Sequence, residues 1–195
     1  MKEKGITLVE IIIAILITAL FSAILISDFP RILKQFALSK ASYRLAQDFR
    51  KVQDLGLSGV QILDSENNPI NAKGYGVYIS LDDENKYIIY ADRGGESFNS
   101  IYDNNLQSCS DISDSGDCIL ETINITNENP DLYIEEIKNS VGNFTSINFA
   151  PPGPIVELDN LSEFSSEIGI VLGLRSYEDL KKTIWVNTAG LIRIE

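Results

Sequence analysis

The chain contains no histidine. That removes the commonest general base and the commonest zinc ligand together, and with them every Ser–His or Cys–His nucleophile pair. No Gly-rich phosphate loop of the P-loop or dinucleotide type is present either. Acidic doublets occur, Asp82-Asp83 and Glu135-Glu136, but adjacent carboxylates without other catalytic groups are most often solvated surface. The composition therefore reads against an enzyme.

Basic residues are scarce in only one part of the chain. Residues 1–58 hold eight Lys/Arg and five Asp/Glu, whereas residues 59–195 hold eight Lys/Arg and 23 Asp/Glu, a net of −15 within a total of −12. A body this acidic repels phosphate backbones, so no nucleic acid is expected as a partner. Lys181-Lys182 is its one basic doublet.

Against these scarcities stands one abundance, the apolar run Gly5 to Ser27, GITLVEIIIAILITALFSAILIS. About 20 apolar residues suffice to cross roughly 30 Å of hydrocarbon as a helix. The run carries one carboxylate, Glu10, near its start. An ionisable group at such a position is costly and implies a purpose and a partner. A secretory signal peptide has a shorter apolar core with a small-residue cleavage site beyond it. Here Phe29-Pro30 follows instead. A plain membrane anchor explains the length but not Glu10.

Lys4-Gly5 followed by Ile6-Thr7-Leu8-Val9-Glu10 resembles the start of the type IV pilin family, which includes the pseudopilins of type II secretion. The resemblance implies that a prepilin peptidase cuts between Gly5 and Ile6 and methylates the new amine. Ile6 stands where the family usually has Phe. It also implies that Glu10 pairs, within the membrane, with the N-terminal amine of a neighbouring subunit. Two opposite charges in a low-dielectric setting attract strongly, and the pair would fix the axial register between subunits. A carboxylate near enough to the membrane face to reach water, or one that is protonated, is the competing reading.

The implied partners are the peptidase, other pilin or pseudopilin subunits, an inner-membrane assembly platform and membrane lipid. Lys2 and Lys4 flank one end of the run, and Arg31 and Lys34 the other, so charge alone does not orient it. A short head and a large polar body favour the head in the cytoplasm. The expected localisation is a single pass of the cytoplasmic (inner) membrane, with the C-terminal domain outside and later within a periplasmic or cell-surface filament. The organisation expected is a leader at 1–5, a membrane-spanning and then amphipathic helix over 6–58, and a β-rich domain over 59–195.

Beyond the run, Ile32, Leu33, Phe36, Ala37, Ala41, Leu45, Phe49, Val52 and Leu55 recur at helical spacing. They predict an amphipathic helix with one buried stripe, kinked near Pro30 and ended by Gly56 and Gly59. The remainder predicts strands at 75–81, 86–91, 119–126, 132–138, 144–149 and 168–174. A final hairpin, 183–186 with 191–194, turns at Asn187–Gly190, where Gly190 suits a left-handed position. Pro151-Pro152-Gly153-Pro154 reads as a breaker between strands. Strand following strand predicts an α+β fold, a long helix against one antiparallel sheet or two small packed ones. This arrangement is similar to that of minor pilins and the smaller GspH-like pseudopilins.

Cys109 and Cys118 lie nine apart in a polar stretch. An isolated pair outside the cytoplasm reads as one disulfide, with free thiols in an organism lacking periplasmic oxidation as the alternative. No cofactor is required. Asp92, Glu96 and Asp103 could supply oxygens to calcium, with Asp111, Asp114 and Asp117 forming a second acidic cluster; a solvated acidic loop accounts for the same residues. A second functional reading is a DNA-uptake or adhesive subunit at a filament tip, for which Tyr75, Tyr87, Tyr90 and Tyr102 are candidate platform residues and core packing their other use.

Overall fold

The computed structural model of the chain describes residues 7–63, 69–70, 72–93, 102, 109, 117–151 and 155–195. The chain divides into two compact units, Met1–Phe36 and Ala37–Glu195. A single helix, α1 (Leu8–Ser58), contributes to both.

In the first unit the large apolar side chains from Leu8 to Phe36 are exposed. This segment is long and apolar enough to cross a membrane. Two of its hydroxyls are satisfied within the helix. Thr18 Oγ1 donates to the carbonyls of Ala14 and Ile15 at 3.0 and 2.9 Å, and Ser22 Oγ donates to that of Thr18 at 2.8 Å. Such back-bonding lets a hydroxyl sit in hydrocarbon without an unpaired polar group. The chain stays helical through Pro30.

In the second unit the buried stripe of α1 comprises Leu38, Ala41, Leu45, Ala46, Phe49 and Val52. It starts at Leu38 and not at Ile32. Ile32, Leu33 and Phe36 are exposed and belong to the first unit. Gly56 does not end the helix. It lies within the last turn, where a Cβ would stand 2.4 Å from the carbonyl oxygen of Phe149. Termination falls to Gly59, whose φ of 58° is the left-handed conformation that closes many helices.

The strands are β1 (Ile62–Leu63), β2 (Pro69–Ile70), β3 (Gly74–Ser80), β4 (Lys86–Asp92), β5 (Cys118–Asn124) and β6 (Leu132–Lys138). They continue with β7 (Phe144–Ala150), β8 (Ile155–Leu158), β9 (Glu167–Leu174), β10 (Tyr177–Asn187) and β11 (Ile192–Ile194). β1 and β2 form a small ribbon. One sheet has the order β5-β4-β3-β7-β8 and another the order β11-β10-β9-β6, with every pairing antiparallel. The fold is α+β, with the second half of α1 and the inner faces of both sheets sharing one apolar core. Phe49, Val77, Ile147, Ile170 and Ile184 are among its fully buried members.

Strand β8 and the charged first half of β10 were not expected from the sequence. The final turn is as expected: Gly190 has φ 80°, and Asn187 Oδ1 accepts from the amides of Ala189 and Leu191. Gln53 Nε2 of α1 donates to the Gly190 carbonyl at 3.1 Å, tying the hairpin tip to the helix.

Candidate assembly site at the helix N-terminus

The first turn of α1 is closed by a reciprocal pair. The Glu10 amide donates to Thr7 Oγ1 at 3.3 Å, and the Thr7 amide donates to Glu10 Oε2 at 3.3 Å. Thr7 Oγ1 also donates to the same carboxylate oxygen at 3.3 Å. This is the capping-box arrangement, in which residues three apart satisfy amides that have no partner inside the helix. The carboxylate thus lies beside the amides that open the helix. Thr7 was not singled out from sequence, although Thr-x-x-Glu before an apolar run is a known signature of a helix start.

Glu10 is exposed on its own chain, on a surface otherwise made of Leu8, Val9, Ile11 and Ile12. Among the described residues the carboxylate's hydrogen bonds are those of its own cap. Gly5 and Ile6 lie outside the described residues.

The other candidates divide. Cys109 and Cys118 are joined in a disulfide, with Cα atoms 4.8 Å apart, and both are buried. Asp92, at the end of β4, is buried, and its carboxylate accepts from Asn148 Nδ2 at 3.1 Å. Glu96, Asp103, Asp111 and Asp114 lie outside the described residues, as do Pro152, Gly153 and Pro154. Among the described residues no group of three acidic or cysteine side chains is placed to hold a metal.

Tyr75, Tyr87, Tyr90 and Tyr102 do not form an exposed platform, since all four are buried. Tyr75 and Tyr87 face the main core, while Tyr102 covers the outer face of the five-stranded sheet, its ring 4.9 Å from that of Tyr78 and 5.1 Å from that of Tyr90. Burial holds the Tyr90 and Tyr102 phenols above the ordinary tyrosine range. Alternation explains the difference: on β3 and β4 both faces are covered, so an aromatic of either parity is enclosed.

Residues 1–26 match the family model for the prokaryotic N-terminal methylation motif. No curated protein and no solved structure matches the chain. The matched motif, the long apolar helix behind it and the capped Glu10 at its start are together consistent with a type IV pilin-like protein.

Proposed function

We propose that the chain is a non-enzymatic structural subunit, a minor pilin or pseudopilin of a type IV pilus or type II secretion filament. In this reading a prepilin peptidase removes residues 1–5, the apolar half of α1 rests in the cytoplasmic membrane, and the body lies outside. Assembly then moves the helix from lipid into a filament core made of the same helices, with an inner-membrane platform as the assembling partner. The observation that carries the reading is the methylation motif over 1–26 placed on a helix long enough to span a membrane.

Glu10 has the central role. Cleavage after Gly5 places a new amine at Ile6, one residue before the cap. The amine of one subunit meets the Glu10 carboxylate of its neighbour, and each removes the cost of burying the other. Glu10→Ala is expected to leave cleavage intact and to block incorporation into filaments. Mass spectrometry of the mature N-terminus together with filament recovery tests both. A start at Ile6 with normal incorporation of the variant would refute the pairing role, whereas an uncleaved Met1 would refute the pathway itself.

The acidic body argues against DNA uptake as the specific task.

A further inference from the structure

Strands β4 and β5 are antiparallel neighbours, yet residues 93–117 lie between them in the chain. Strands paired in this way are usually joined by about two to five residues. So long a connection does little to hold β5 in place. Among the described residues β5 is also an edge strand, with β4 as its one partner.

The anchoring of β5 is uneven along its length. Cys118 faces Ala91 and Ile119 faces Tyr90, then Leu120 is passed over and Glu121 faces Ile89. Such a bulge interrupts the ladder and leaves one residue unpaired. Behind it the strand is secured by the core. Ile123 and Ile125 are buried, and the Ile125 amide donates to the Asn85 carbonyl at 2.9 Å. Ahead of the bulge Cys118 is the one buried side chain, with Ile119 half-buried and Leu120 exposed.

Three contacts converge on this front end. Cys118 is bonded to Cys109, and both belong to the main core. Cys109 Sγ lies 3.5 Å from the Ile119 carbonyl oxygen. The Ile119 side chain packs instead against the separate cluster of Ile88, Tyr90 and Tyr102. Tyr102 is held there by its amide, which donates to Ser146 Oγ at 3.1 Å, and by its ring against Tyr78 and Tyr90. Ile119 thus links the disulfide to Tyr102. A part of the sheet with so few buried side chains opens at lower cost than the body as a whole.

We propose that the Cys109–Cys118 disulfide is a redox latch on this front end. Its reduction releases residues 118–120 and Tyr102 together, while the rest of β5 and the shared core stay folded. A dithiol reductant supplies two electrons and two protons, one S–S bond becomes two thiols, and the reductant leaves as its own disulfide. The released state uncovers the Tyr78 and Tyr90 rings and the edge of β4 at Tyr90 and Ala91. The oxidised state covers both.

Amide hydrogen exchange of the full chain in detergent, resolved by mass spectrometry, tests this. With dithiothreitol, or in the Cys109→Ser, Cys118→Ser double variant, the amides of residues 118–120 and of Tyr102 are expected to exchange on the order of a hundredfold faster. Those of β9 and of residues 123–125 are expected to keep the parent rate. A second readout needs no cysteine variant. Both cysteines are buried, so dithiothreitol reaches the sulfurs only when the front end opens. Tyr102→Ala leaves the disulfide in place and is expected to raise its rate of reduction about tenfold, followed by alkylation of the thiols. An exchange pattern unchanged by reduction, equal acceleration across β9, or a reduction rate indifferent to Tyr102→Ala would each overturn the proposal. The measurements use unassembled protein, so they stand or fall separately from the assembly reading.

Discussion

The phenol of Tyr87 on β4 donates a hydrogen bond to the carboxylate of Asp48 on α1. The tyrosine is buried, and burial first, then the neighbouring Asp48, hold its ionisation far above the ordinary range. It therefore remains a donor at any pH the protein meets. The bond joins helix to sheet across the core of the second unit, where a lost partner leaves a buried polar atom unpaired. Asp48→Ala strands the phenol and is expected to cost about 1–3 kcal/mol. Tyr87→Phe removes the donor from a carboxylate that still reaches water, and is expected to cost less. Thermal unfolding of the two variants and of the double variant checks this. A double variant whose loss equals the sum of the two single losses would mean that the two residues act independently.

A second tie between helix and body depends on pH. Glu128 accepts from Lys40 at 2.5 Å and from Arg44 at 3.3 Å. The Lys40 hydrogen bond, then the charges of both cations, hold its carboxyl below the usual range, against the opposing effect of burial. A carboxyl depressed on folding binds fewer protons in the folded state than in the unfolded one. The stability it contributes is present above the unfolded value and is lost as pH falls through the folded value. Both cations are largely exposed, so the contribution is no more than about 1 kcal/mol and weakens with salt. Glu128→Gln is expected to lower the melting temperature slightly at neutral pH, with the difference from the parent closing below about pH 4. A difference that persists unchanged in acid would show that the pair is not its source.

The two glycines near the end of α1 have opposite reasons to be there. Gly56 has ordinary helical geometry but no room, since a Cβ would strike the Phe149 carbonyl at 2.4 Å and its Cβ at 2.9 Å. Gly59 has room but a φ of 58°. Gly56→Ala gains up to about 1 kcal/mol of helix propensity but overpacks against backbone that cannot move aside, with a net loss of about 1–3 kcal/mol expected. Gly59→Ala meets no atom and loses about 1–2 kcal/mol through strain alone. Gly59→Asn, tolerated in the left-handed region, should recover part of that loss, whereas no residue should rescue position 56. Chemical denaturation of the three variants separates the cases.

The α+β fold was legible because most strands of the second unit alternate or are wholly apolar, and the runs at 75–81, 86–91, 132–138, 144–149 and 168–174 are close to β3, β4, β6, β7 and β9. The first half of β10 was not legible: Tyr177 to Lys182 is charged because one face is solvated and the pairing shifts register there. β8 was masked by the prolines before it. The helix stripe was overextended to Ile32 because apolar residues meant for a bilayer share a period with those meant for a core. The packing of two rings over β9 was hidden for a different reason. Gly169 and Gly173 are unremarkable inside a strand, and only the pairing of β9 between β6 and β10 puts Tyr133 and Trp185 over them. At the N-terminus the charge of Glu10 was legible, but its use as a cap required the neighbouring Thr7 to be read as its counterpart.

The cap and the proposed pairing make different demands on Glu10. As a cap, the side chain needs only an oxygen for the Thr7 amide, which glutamine supplies equally well. As the partner of a neighbour's amine it needs a full negative charge, which glutamine lacks. Glu10→Gln is therefore expected to keep the helix start and the cleavage between Gly5 and Ile6, yet to fail in filament incorporation. Thr7→Ala removes the hydroxyl from the cap while leaving the charge. It is expected to loosen the first turn by about 1 kcal/mol and to reduce incorporation only partly. Circular dichroism in detergent, N-terminal mass spectrometry and filament recovery read the three properties separately. Were Glu10→Gln to assemble normally while Thr7→Ala did not, the helix cap and not the charge would be what assembly requires.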